Sequence, residues 1–82
     1  MEIEDYIDGL MFSSPSEPNW VPLGQDTIRA VFDSWKRCVP TEYPKMLLML
    51  MGGHEIQSPI VPAFRYRAAG IAGKQQQLFA AD

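Results

Sequence analysis

The chain has 82 residues, a formal net charge of −3, a hydrophobic content of 46% and one cysteine. That length bounds it to a single small domain, expected to span residues 1–82. One cysteine excludes an internal disulfide, the usual staple of small secreted domains, and the apolar fraction is too high for a disordered chain.

The opening "MEIED" has neither the basic start nor the apolar stretch of a secretory signal. A cytoplasmic protein is therefore expected, in a cell, in a virus-infected host, or in a virion. Short chains of this kind are common among phage and other mobile-element proteins.

Residues 1–19 carry Glu2, Glu4, Asp5, Asp8 and Glu17 and no Lys or Arg. Residues 20–82 carry seven basic and five acidic residues. The pattern reads as an acidic N-terminal arm on a mildly basic body. Such an arm suits the positive end of a helix dipole, a basic partner, or the body itself.

Ile3, Tyr6, Ile7, Leu10 and Met11 recur at i, i+3, i+4, i+7 and i+8, which predicts a short helix at about 2–12. Pro15, Pro18 and Pro22 then predict an extended loop to about residue 23, in which Trp20 pins the chain to a core. The clearest element is "QDTIRAVFDSWKRC". Ile28, Val31, Phe32, Trp35 and Cys38 form one stripe, Lys36 and Arg37 favour a C-terminal end, and Pro40 stops it, so a helix is predicted over 25–38.

A third helix is predicted in "PTEYPKMLLMLMGG", with Thr41 as cap, Pro44 in the first turn and Gly52 as stop. In "AFRYRAAGIAGKQQQLF" the spacing of Phe64, Ala68, Ile71 and Leu78 predicts one helix, or two short ones broken at Gly70 and Gly73. No period-two alternation stands out. The fold class read from the sequence is all-α, three to five short helices joined by Pro-rich loops.

The run Met46, Leu47, Leu48, Met49, Leu50, Met51 carries the most information. A membrane span needs about 20 apolar residues, and this run has six. At ~100° per residue its side chains point all round the helix. A domain this small has too few elements to cover every side. Part of the helix is thus expected to face another chain, a copy or a different protein, and Met side chains adapt well to irregular partner surfaces.

Catalytic chemistry finds little footing. Cys38 and His54 are the sole candidate nucleophile–base pair, and a helix C-terminus disfavours a thiolate. No His or Cys pair has metal-ligand spacing, and no glycine-rich phosphate loop is present, so neither cofactor nor metal is expected. "FRYR" interleaves rings with Arg65 and Arg67, and Gly70 to Lys74 has the G-x-x-G spacing of a nucleic-acid-clamping loop. Those cues point to a nucleic-acid module using Arg65, Arg67 and Lys74, which the acidic total opposes.

The sequence thus leads to a non-enzymatic protein–protein interaction protein: a subunit, adaptor or assembly factor that self-associates or binds a partner through residues 46–51. A rival within that class is an inhibitor docking Glu2, Glu4, Asp5 and Asp8 onto a basic groove of a host enzyme.

Overall fold

The computed structural model describes residues 3–71. A 3₁₀ turn, Ile3–Tyr6, leads into β1 (Ile7–Ser14), which forms a hairpin with β2 (Glu17–Pro22). Two helices follow, α1 (Gln25–Cys38) and α2 (Tyr43–Met51), then β3 (Ile56–Gln57) and β4 (Arg65–Ile71). The strands form one antiparallel sheet in the order β2-β1-β4-β3, so the two central strands come from opposite ends of the chain. The fold is α+β, which overturns the all-α expectation.

Each misread segment has a physical reason. The apolar residues from Ile3 to Met11 fit a helical stripe by spacing alone, but they belong to a single 3₁₀ turn and then a strand. Gly9 sits at φ +82°, outside the helical region, and an added Cβ there would lie 3.0 Å from that of Ala69. The proline-rich "loop" is the β1–β2 turn plus an edge strand. Pro18 and Pro22 are tolerated in β2 because an edge strand has one side that needs no donors.

The Ala-rich C-terminal stretch, read as helix, is β4 as far as Ile71, paired with β1 from Ile7↔Ile71 to Ser13↔Arg65. Ala favours helices, but long-range pairing overrides so weak a local preference. Leu78 and the remainder of that proposed helix lie outside the described residues.

The two central helices end where the sequence placed them. α1 buries Ile28, Phe32 and Trp35, the i, i+4, i+7 set, while Cys38 is exposed and off the stripe. α2 carries Pro44 in its first turn and stops at Gly52, although Glu42 rather than Thr41 is the N-cap residue and no side chain bonds the free amides there.

Both helices pack on one face of the sheet. Leu10, Ile56 and Tyr66 supply the sheet side of the core, and Ile28, Phe32, Trp35, Tyr43, Met46, Leu47 and Leu50 the helical side. The rings interlock: Trp35 meets Tyr66 edge-on at 5.0 Å, and Phe12 meets Phe64 at 5.0 Å. Edge-to-face pairs at that separation add to burial. Because strand side chains alternate, Met11, Ser13, Arg65, Arg67 and Trp20 occupy the opposite face.

Candidate functional site

Three surfaces carry the residues that the sequence singled out. The first is the outer side of α2. Met46, Leu47, Leu50 and Met51 are buried, so these four close the domain's own core. Leu48 and Met49 are left out at 54% and 45% exposure. The sheet with α1 covers one side of the helix and nothing among the described residues covers the other. Of the six residues expected to face a partner, two are exposed and four are buried in the chain's own core.

The second is the acidic arm, which the fold splits. Glu4 is buried and held by three groups: the Tyr43 hydroxyl donates to one carboxylate oxygen, Arg29 donates to the other at 2.9 Å, and the Lys36 ammonium lies 3.6 Å away. The Tyr43 hydroxyl, helped by Lys36 and Arg29, holds the Glu4 carboxyl below the usual carboxylate range, against the upward push of burial. Burial and the neighbouring Glu4 carboxylate push the Tyr43 hydroxyl well up. Glu4 therefore clasps the 3₁₀ turn to α1 and α2 within the chain and is not offered to a partner's groove.

Asp5 and Asp8 are exposed, and Glu2 lies outside the described residues. Asp5 lines two clefts, of about 520 and 410 Å³, beside the start of α1, and Asp8 lines the smaller one. Sequence reasoning missed Tyr43, Arg29 and Lys36 as partners of Glu4, because no local pattern links positions 25 to 39 residues apart.

The third is the open sheet face. Trp20 does not reach the core as a loop anchor would. Its ring takes the guanidinium carbons of Arg65 and Arg67 at 5.2 and 5.5 Å from its centroid. Arg65 also donates to the buried Ser13 hydroxyl at 3.1 Å and to Glu55 at 3.2 Å. The FRYR interleaving is thus a strand's alternation, with Tyr66 in the core and the arginines outside. Arg65 and Arg67 do come together, on Trp20, whereas Lys74 lies outside the described residues.

Among the described residues, no cluster of three or more His, Cys, Asp or Glu is placed to hold a metal ion. Nor is any described helix long and apolar enough to cross a membrane. Cys38 is exposed at the end of α1, and His54 is exposed beyond the end of α2. No family model, no curated protein and no solved structure matches the chain.

Proposed function

We propose that the chain is a non-enzymatic protein–protein contact module, a small subunit or adaptor that presents the outer side of α2 to a protein partner. The observation that carries this reading is the pair Leu48 and Met49, exposed on a helix whose other Met and Leu side chains are buried. Isolated apolar side chains on a surface are ordinary; these two lie about 100° apart around α2 and both point away from the core. Burying both would contribute roughly 1.5–3 kcal/mol each before the costs of association.

The rival uses have less behind them. The acidic-arm inhibitor loses its best residue to the Glu4–Tyr43 clasp. The nucleic-acid reading keeps Arg65 and Arg67, but Trp20 already engages both, Glu55 also pairs with Arg65, and the chain is net acidic.

The test is a photoreactive side chain at position 48 in cells that express the full chain, with position 27 on the exposed side of α1 as control. The reading expects a discrete protein adduct from position 48 and none from position 27. Equal adduct patterns at the two positions would count against it.

A further inference from the structure

The face of the sheet away from the helices gathers residue types that dominate protein contacts. Met11 of β1, Trp20 of β2 and Arg65 and Arg67 of β4 lie there together, the first three half-buried and Arg67 exposed. Met11 is the cross-strand partner of Arg67, and Ser13 is that of Arg65.

The two arginines are held differently. Arg65 donates one amino group to the buried Ser13 hydroxyl at 3.1 Å and the other to Glu55 at 3.2 Å, and its guanidinium carbon lies 5.2 Å from the Trp20 centroid. Ser13 in turn donates to the Pro18 carbonyl of β2, so the hydroxyl ties Arg65 to the strand that carries Trp20. Arg67 meets the same ring at 5.5 Å, but forms no hydrogen bond or ion pair with any described residue. Cation–π attraction holds a guanidinium in place and leaves its N–H fork available.

The charges around the ring do not balance. Two guanidiniums share it, and among the described residues one carboxylate, that of Glu55, answers them by pairing with Arg65. One positive charge is left over, on the exposed Arg67.

We propose that the open sheet face is a second protein-contact surface, on which Arg67 receives an Asp or Glu carboxylate from another protein while apolar neighbours of that residue cover Met11 and Trp20. One spare charge and one free fork match a planar monoanion, which takes two parallel hydrogen bonds from a single guanidinium. A phosphate dianion would call on Arg65 as well, and there it would meet Glu55. The helices lie on the opposite face, so this contact leaves Leu48 and Met49 free and does not rest on the reading given to them.

The experiment uses the full chain labelled with nitrogen-15 and the peptide acetyl-Leu-Glu-Leu-amide, whose one charge is the carboxylate. Acetyl-Leu-Gln-Leu-amide removes that charge, and a phosphoserine peptide replaces carboxylate by phosphate. The side-chain N–H signals of Arg67 and Trp20 report binding, and those of Arg37, exposed on α1, report ordinary surface attraction. The expected result is that the Glu peptide binds at least about fivefold tighter than the Gln peptide, with shifts at Arg67 and Trp20 and much smaller ones at Arg37. Arg67→Lys keeps the charge without the fork and should weaken binding about threefold or more. Arg67→Gln should abolish the preference for Glu over Gln, with circular dichroism confirming the fold. Equal affinity for the Glu and Gln peptides, equal shifts at Arg37 and Arg67, or tighter binding of the phosphoserine peptide would each overturn the proposal. So would an Arg67 signal that moves in Asp82→Asn before any peptide is added, since the chain would then supply its own carboxylate. A native chain that sizes at twice 9.3 kDa and is returned to one chain by Arg67→Gln would overturn it too, since the occupant would be a second copy.

Discussion

The Tyr43 hydroxyl donates to the carboxylate of Glu4, across 39 positions of chain, and in doing so ties the first turn to the second helix. Removing either partner leaves the other buried and short of a bond, which is more costly than never having built the pair. Tyr43→Phe should destabilise the domain by about 1–3 kcal/mol. Glu4→Gln should cost at the lower end of that range, because Arg29 and Lys36 are half exposed and water screens their share. Chemical denaturation checks both, and the double variant should cost less than the sum of the singles.

The same clasp sets the acid limb of stability. The Glu4 carboxyl is held below its ordinary value of 4.5, so the stability it contributes is present above that pH and lost as pH falls through the lowered value. Unfolding free energy measured from pH 6 to pH 2 should fall in that window, and the part due to Glu4 should vanish in Glu4→Gln. On the alkaline side, Tyr43 and Tyr66 are both raised above their ordinary 10.0, chiefly by burial. A raised value means stability present below pH 10 and lost above it. Tyr43→Phe should flatten that alkaline decline.

Gly9 lies in β1 beside Ala69 of β4. Its φ of +82° suits glycine alone, and a Cβ would meet that of Ala69 at 3.0 Å. Gly9→Ala should therefore cost about 1–3 kcal/mol, as read by thermal or chemical unfolding. Adding Ala69→Gly should recover the part due to the clash but not the part due to the backbone.

Leu50 is fully buried between α2 and the sheet, and Trp35 nearly so. Leu50→Ala should cost about 2–5 kcal/mol through lost transfer energy and the cavity left behind. In so small a domain that is enough to unfold much of the population at 37 °C. Far-ultraviolet circular dichroism against temperature would register the loss.

Helices were legible in the sequence where one stripe was strong enough. Ile28, Phe32 and Trp35 mark α1, and Pro44 and Gly52 bracket α2. The strands were not legible, because their signals imitate other elements. Ile3 to Met11 carries helical spacing by coincidence across a turn–strand junction. β2 is rich in proline, which reads as loop anywhere except a sheet edge. β4 has Ala-Ala-Gly at its centre, which carries little strand preference, and its strand character comes from pairing with β1, more than 50 positions away.

The exposed part of α2 was half legible. Six apolar residues in a row implied that some stay uncovered, but the sequence did not say that Leu48 and Met49 are the ones. That depended on which side of the helix met the sheet.

On the contact reading proposed above, Leu48 and Met49 serve contact rather than stability. The most direct measurement pairs the unfolding free energy of the Leu48→Ser, Met49→Ser double variant with recovery of the native complex from expressing cells. Both side chains are largely in solvent, so unfolding should change by no more than about 0.5 kcal/mol per site while the complex is lost. A complex that survives the double substitution, with the fold intact, would contradict the account.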